Sequence, residues 1–553
     1  MTDDEVLVFP ASFAQRSMWL ENEINPGRPT YHVLAALRLR GRLDTGALRR
    51  ALNTVVDRHE ALRTVFDLDE DGPVQIIGPA SELDVPVTDV ARGDLEAAVT
   101  AEVTKPFDLY RGPLVRMRLL RTAPEEHVAV LVMHHIVTDG VSSALFVAEL
   151  TACYGAYLRG EDPGLPPLEI QYADFTMWQH ENLRGEKLSG LTRRWQRRLD
   201  GAPPLRLFTD RPYPAEPTFA GDTHTFTVPA PLVSRLDALA RQERATAFMV
   251  FLAAFDVLLS RYSGQQDITV ASPMAGRTRP ELAGLIGFFV NPLLLRTDVS
   301  GEPTARELIG RVRNTCAEAF DDQEFPFESA LELLRVQRRS TAGTPQVQAM
   351  LVLQNMPVPE LRTPDLVIEP LRPDSKAASY ELALDLEPDD ETGYRAFLEY
   401  SSELFDAATV TEMAAEFVTI LEGIAADPDA PVSTKPVDRQ PMPWSEEPAQ
   451  PPAEVPYRAP QTPIELELHE IFCELLGLER IGVDDDFLDL GGDSLSLLQL
   501  RNRVREEYGV EFPVRELFGR VDIDGLARRV LERLLAQDEN GRSPQSSPNE
   551  EHP

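Results

Sequence analysis

The stretch EEHVAVLVMHH at 125–135 is apolar almost throughout, too short to cross a bilayer and bounded by charge, the pattern of a buried strand. Side chains alternate across a sheet, so Val130, Val132 and His134 point one way and Leu131, Met133 and His135 the other. Beyond Asp139 and Gly140 the period changes. Val147, Leu150, Tyr154 and Tyr157 recur at three and four residues, which predicts a helix, with Ser142 and Ser143 placed to cap it. MHHIVTDG at 133–140 is therefore a strand-to-helix turn. Much further on, Leu468, Ile471, Leu475 and Leu476 mark one helix; Leu497, Leu500, Val504 and Tyr508 a second; Ile523, Leu526, Val530 and Leu534 a last.

Between the mixed strands and helices upstream and these helices lies a proline-rich stretch, residues 426–462, which predicts an extended, semi-rigid linker. For its aromatics, Trp444 and Tyr457, two readings stand: docked on a neighbouring domain, or exposed. The polar tail at 537–553 reads as disordered.

A length of 553 residues suggests about three structural units. The formal net charge of −36 argues against a nucleic-acid or anionic-membrane partner. Cys153, Cys316 and Cys473 lie far apart in helical patterns and read as reduced core residues. The first residues, MTDDEVLVFP, lack a basic region before an apolar run, and no later segment reads as apolar enough to span a bilayer. A cytoplasmic protein is expected.

The divergence of His134 and His135 argues against joint chelation, and no HExxH or CxxC accompanies them, so no metal is expected. An imidazole at a strand end can orient or deprotonate a nucleophile near neutral pH; two satisfied core histidines are the plainer reading. With no GxSxG-type signature, a nucleophile has to come from a substrate. Asp139 can fix the turn by bonding backbone or a cation, and Gly140 permits a tight backbone. In LGGDSL at 490–495, Gly491 and Gly492 allow an unusual turn, and Ser494 opens a helix. That serine is either a cap or, at the positive end of the helix dipole, the anchor of a phosphodiester.

LGGDSL resembles the attachment site of a peptidyl carrier protein, over residues 463–536. Upstream, SFAQRSMWLENEINPG at 12–27, RHEALRTVF at 58–66, MHHIVTDGVS at 133–142, YADFTMW at 172–178, GFFVNPLLLRTD at 287–298 and DDQEFPFE at 321–328 follow the order of motifs in the condensation domain of a nonribosomal peptide synthetase. HHxxxDG alone is shared with chloramphenicol acetyltransferase and related acyltransferases.

The resemblance implies a two-lobed, chloramphenicol-acetyltransferase-like α/β (α+β) domain, with lobes at 1–175 and 176–425, followed by a small all-α four-helix carrier. It implies a tunnel in which His135 helps an acceptor amine attack a donor thioester, as base or as positioning group. His134 then supports the site, Asp139 pairs with Arg277 of ASPMAGR, and Gly140 offers its amide to an oxyanion or only forms the turn. Ser494 would carry 4'-phosphopantetheine, installed by a phosphopantetheinyl transferase.

Val141, Pro292, Asp321 and Glu324 depart from the family's usual residues, and RRSTAGTPQVQAMLVLQN at 338–355 keeps part of the last motif. The wording most resembles the subtype joining an L donor to an L acceptor. An epimerisation domain would follow its carrier, a heterocyclisation domain would show DxxxxD, and a dihydrolipoyl acyltransferase would carry its lipoyl domain first. Release to a soluble amine or alcohol stays open, as does an inactive recruitment platform. No adenylation domain stands between the two domains, which implies loading by a separate adenylation enzyme and a donor on another carrier protein. The aspartate of GGDS resembles carriers that serve an epimerisation or condensation partner, which implies onward transfer to a downstream polypeptide.

Overall fold

In the computed structural model, residues 6–27, 29–69, 72–214, 218–338, 347–354, 362–363, 366–371, 376–389, 391–439, 457–492, 494–517 and 520–541 are described. The alternation read at 125–135 becomes the strand Glu126–His134, at the centre of a six-stranded sheet. Antiparallel neighbours flank it, His32–Gly41 on one side and Val115–Ala123 on the other. Val128, Val130 and Val132 pack on one face with Val99 and Leu120. Ala129, Leu131 and Met133 pack on the other, under the helices Thr45–Arg58 and Gly140–Arg159.

The helix Gly140–Arg159 is, by length and composition, apolar enough to cross a bilayer, contrary to the reading that no segment is. Here its apolar side, with Phe146, Leu150 and Tyr154, is spent on the sheet and on Leu52 and Val55 of the neighbouring helix. Its cap also differs from expectation. Asp139, not the serine pair, is the N-cap, accepting the Ser142 amide at 2.7 Å, so the helix opens at Gly140.

The second lobe is a mixed sheet in the order Asn291–Asp298, Asp267–Met274, Ala349–Leu353, Leu382–Asp389, Gly393–Ser401, Gly221–Pro229. Ala349–Leu353 runs parallel to both neighbours; the other pairings are antiparallel. The helix Ala247–Ser263 is apolar nearly all round and buried in the middle of this lobe, as such a pattern requires.

A lobe boundary between residues 175 and 176 does not survive. The helix Tyr172–Asn182 runs across it, and residues 362–363 and 366–371 return to the first sheet, where Leu366–Leu371 pairs antiparallel with His32–Gly41. A sheet edge takes its partner by register and burial, not by nearness in sequence.

The linker is also shorter than 426–462. Val432 donates its amide to the Pro303 carbonyl at 2.8 Å and Val437 to that of Arg261 at 3.0 Å. Arg439 pairs with Asp210 at 2.8 Å and Glu412 at 2.9 Å, so residues 427–439 belong to the two-lobed domain. At the other end, Tyr457 lies under the Arg480 guanidinium and Arg458 pairs with Asp484 and Asp524, all within the helical domain. Trp444 and the rest of the linker, 440–456, lie outside the described residues.

The helical domain comprises Pro463–Leu476, Ser494–Tyr508 and Ile523–Gly541, with a short 3-10 helix at Val514–Leu517 as its fourth helical element among the described residues. Leu468, Phe472, Phe487, Leu497, Val504 and Val530 form its core. Thr462 and Glu465 close a capping box ahead of Pro463. The last helix reaches Gly541, past the tail start read at 537; residues 542–553 lie outside the described residues. Cys153 and Cys316 are buried free thiols, and Cys473 is half-buried.

The docked segment 427–439 sets a first expectation. A chain ending at Ala426 should unfold with about 2–4 kcal/mol less stability than one ending at Arg439, the sum of a few buried bonds and the Val432 side chain. Denaturant titration of the two chains checks this, and equal midpoints would return these residues to the linker.

Candidate active site and carrier site

The strand ends between the two histidines, and their surroundings differ. His134, the last strand residue, is 2 % exposed and shares its pocket with the rings of His32 and Phe107, each centred 6.0 Å away. Its Nδ1 accepts the Ile136 amide at 3.2 Å, so the proton of the neutral ring sits on Nε2. Burial, then the neighbouring His32 and His135, push its pKa down to about 3. His134 is therefore neutral in the folded state at physiological pH.

His135 opens the 3-10 turn His135–Val137 and stays partly exposed. Its Nδ1 donates to the Thr138 carbonyl at 2.7 Å, which fixes the tautomer and leaves the Nε2 lone pair free. The Phe288 ring meets it edge-on, centroids 4.8 Å apart. The two imidazoles thus have different ring neighbours, His32 and Phe107 for His134 and Phe288 for His135.

Asp139 is buried and its carboxylate is fully used. Oδ1 accepts the Ser142 amide, Oδ2 accepts the Phe289 amide at 2.9 Å, and Arg277 lies 3.4 Å from Oδ1. Arg277 donates to the Ser142 hydroxyl and to the Leu282 and Leu285 carbonyls, and its guanidinium sits over the Phe289 ring, 4.1 Å from the centroid. Burial draws the Arg277 pKa below its ordinary value, and Asp139 offsets part of this. A buried ion pair of this kind is costly to break from either side, about 3–5 kcal/mol, because the remaining charge stays buried.

Gly140 is not needed for a tight backbone. It lies in the first helical turn without a positive φ, and an added Cβ would meet nothing within 4 Å. What its missing side chain leaves is open space beside the helix start.

Several residues of the site escaped the sequence reading. His59 bonds Glu149 at 2.8 Å through Nε2 and accepts the Ile286 amide at 3.4 Å through Nδ1. The Ser142 hydroxyl accepts the Gly287 amide at 3.1 Å and donates to the Gly287 carbonyl at 2.8 Å. Tyr172 donates to the Phe288 carbonyl at 2.7 Å. Gln15 donates to the Ile136 carbonyl at 3.1 Å, holding the turn that carries His135. All lie inside motif stretches, so the signal was present, but nothing in one sequence says which polar side chain grips which backbone. Gly287 is glycine for a steric reason: a Cβ there would stand 2.0 Å from the Tyr172 ring.

In the helical domain, Gly491 holds φ +98°, and a Cβ on Gly492 would stand 2.4 Å from the Phe487 ring. Both positions therefore require glycine, and the chain turns sharply into the helix that starts at Ser494. The positive end of that helix suits a phosphodiester. Asp493 and the Ser494 side chain lie outside the described residues.

Two lobes on mixed sheets, joined where a histidine turn meets a phenylalanine loop, define an acyltransferase-type architecture. Residues 7–439 match the family model of the condensation domain, and 467–530 that of the phosphopantetheine attachment site. One of the linear gramicidin synthase proteins of Brevibacillus parabrevis is 42% identical over 438 residues, 77% of this chain but 6% of that protein. The X-domain solved in complex with OxyB from teicoplanin biosynthesis is 29% identical, with TM-score 0.70 over 79% of this chain and 99% of the other. The first condensation domain of the calcium-dependent antibiotic synthetase, bound to a substrate analogue, shares the fold at 21% identity, with TM-score 0.65 over 77% of this chain and 99% of the other.

The chain belongs to the condensation-domain family of nonribosomal peptide synthetases, with the chloramphenicol-acetyltransferase-like fold, followed by a carrier domain for 4'-phosphopantetheine. Condensation domains are acyl-transferring enzymes, and a carrier domain requires a phosphopantetheinyl transferase.

The depressed pKa of His134 sets the pH dependence. Above the unfolded value, about 6.5, both states are neutral. Below it the unfolded chain takes up a proton that the folded one refuses until about pH 3. Stability is thus fully present above pH 6.5 and is lost across that window, by about 1.4 kcal/mol per pH unit from this group. Between pH 7 and pH 5 the wild type should lose about 2 kcal/mol more than His134→Phe. Urea unfolding at the two pH values measures it, and equal losses would mean that His134 titrates normally in the fold.

Proposed function

We propose that this chain forms an amide bond between a donor acyl or peptidyl thioester, brought by another carrier protein, and an acceptor aminoacyl group held on Ser494. The observation that carries the reading is the Nδ1 bond of His135 to the Thr138 carbonyl, which leaves Nε2 able to take a proton from an attacking amine. When bound, the phosphopantetheine arm supplies a thiol that holds the acceptor as a thioester.

As the amine attacks the donor carbonyl, His135 Nε2 receives the nitrogen's proton and returns it to the departing thiolate. The first-turn amide of Gly140 stands by position outside the helix's own bonding and is available to the developing oxyanion. His134, Asp139 and Arg277 act through the scaffold, holding the turn and the facing loop.

Family matches end at 439 and resume at 467, too short an interval for an adenylation domain. No loading domain fits in this interval, and a separate adenylation enzyme, a donor carrier protein and an onward synthetase polypeptide are the proposed partners, in the cytoplasm where coenzyme A is at hand. The X-domain likeness supports a second reading, a platform that binds a partner protein without forming a bond.

Intact-protein mass spectrometry after phosphopantetheinylation and incubation with loaded partners separates the two readings. His135→Ala should cut condensation by about 100-fold or more while its unfolding midpoint stays near that of wild type. Asp139→Ala should lose stability as well, by about 3–5 kcal/mol. Near-normal product from His135→Ala would overturn the assignment.

Loading has its own check. Ser494→Ala should take up no phosphopantetheine, and the protein alone should show no amino-acid-dependent pyrophosphate exchange. Modification of the variant would misplace the arm, and robust exchange would overturn loading in trans.

A further inference from the structure

We propose that Gln75 is a positioning residue of the reaction, acting through Gln15 to set where His135 stands. The proposal rests on the amide-forming reading above. Gln75 lies on the strand Gly72–Ile77, outside the motif stretches, and is fully buried.

Its bonds leave the Gln15 side chain one orientation. Both protons of the Gln75 amide nitrogen are spent, one on the Pro10 carbonyl at 3.0 Å and one on the Thr176 hydroxyl at 3.1 Å. Thr176 itself donates to the Ala173 carbonyl at 2.8 Å, so its oxygen can only accept from Gln75. The Gln75 oxygen is thereby turned to Gln15, whose amide nitrogen lies 3.4 Å from it and 3.1 Å from the Ile136 carbonyl. The first bond is long, and it serves by orienting rather than by strength. A flipped Gln15 amide would set oxygen against both of these oxygens. It would also strip the Ser12 amide of its acceptor, the Gln15 Oε1 at 3.0 Å.

The same network reaches the ring that faces His135. Ser12 Oγ accepts the Gln15 backbone amide at 3.1 Å and lies 3.0 Å from the Tyr172 hydroxyl. The one Tyr172 proton goes to the Phe288 carbonyl, so between these two hydroxyls Ser12 is the donor. Gln15 therefore holds the turn His135–Val137 with its side chain and, through Ser12 and Tyr172, is tied to the backbone of Phe288, whose ring meets His135. Ser12, Gln15, Gln75, Tyr172 and Thr176 are all buried. Apolar side chains would fill this space without the cost of burying amides and hydroxyls; what the polar set adds is a single arrangement.

An apolar side chain of equal length at Gln75 removes the oxygen that orients Gln15. The Gln15 amide is then free to turn, the Ile136 carbonyl loses its fixed donor, and the His135 turn shifts against the Phe288 ring. Misplacing a reacting group by about 1 Å costs about 100-fold, so a shift of about half that costs about tenfold.

The test uses the full chain, its arm loaded by a phosphopantetheinyl transferase from synthetic glycyl-coenzyme A. N-acetyl-alanyl, N-acetyl-leucyl and N-acetyl-phenylalanyl pantetheine thioesters serve as donors. The acceptor is consumed by one bond, so single-turnover rates are read. In folded Gln75→Met the maximal rate should fall about tenfold or more, while the donor concentration giving half of it stays within about twofold. The double variant with Gln15→Met should be no slower than Gln15→Met alone, within about twofold. In His135→Ala, adding Gln75→Met should leave the residual rate within about threefold, because no imidazole remains to be placed. A maximal rate for Gln75→Met within about twofold of wild type, or losses that multiply in either double variant, overturns the proposal and leaves condensation standing. Absence of amide from the wild type with every donor sinks the condensation reading and this proposal with it. Should Gln75→Met not fold, Gln75→Ala takes its place with the same expectations and the same overturning results: its polar gap admits a water, which both donates and accepts and so fixes no orientation.

Discussion

Four side chains of the first lobe hold four consecutive residues of the second, and the site depends on that grip. His59 takes the Ile286 amide, Ser142 both backbone groups of Gly287, Tyr172 the Phe288 carbonyl and Asp139 the Phe289 amide. A buried loop without a strand partner must satisfy its backbone groups by other means, and here side chains take five of them. Asp139 joins this grip to the helix cap with one carboxylate, and Arg277 neutralises the charge that doing so buries. The Phe288 ring is thereby fixed against His135, whose own Nδ1 is tied to the Thr138 carbonyl. A proton-transfer group held to one tautomer and one orientation is what positioning catalysis asks of a scaffold.

How much of this was legible depends on range. The separate surroundings of His134 and His135 were legible only in part: His134 closes the strand as its period of two requires, whereas His135 lies past the strand, in the 3-10 turn. The turn into Ser494 followed from a glycine pair whose need is local and steric. The helix cap was misread by proximity: Ser142, Ser143 and Asp139 are all good capping residues, and only the bond to the Ser142 amide selects Asp139. The return of residues 366–371 to the first sheet left no mark, since its partner strand lies in the chain's first tenth and the pairing is written in register alone. The grip was invisible for the same reason. Ser142 reads as a capping serine and Tyr172 only as part of a motif until the loop they hold is placed beside them.

The departures from the family's wording can be placed against the same grip, and none falls on it. Val141 occupies the first helical turn beside the open space at Gly140. Pro292 lies at the start of an edge strand, where the missing amide breaks no essential ladder bond. Glu324 bonds Asn182 and Lys187, and Asp321 is exposed. The neighbouring Asp322, by contrast, is buried and takes both Arg194 and Arg198, tying the helix Gly185–Leu199 to the segment that ends in Glu328. Substitution is thus permitted where a side chain closes a contact of its own and excluded where it would free a backbone group of the Ile286–Phe289 loop. That distinction, rather than the match to any motif, is why a chain with four altered positions keeps an ordered site: the altered residues change what surrounds the loop, and the loop alone sets where Phe288 meets His135.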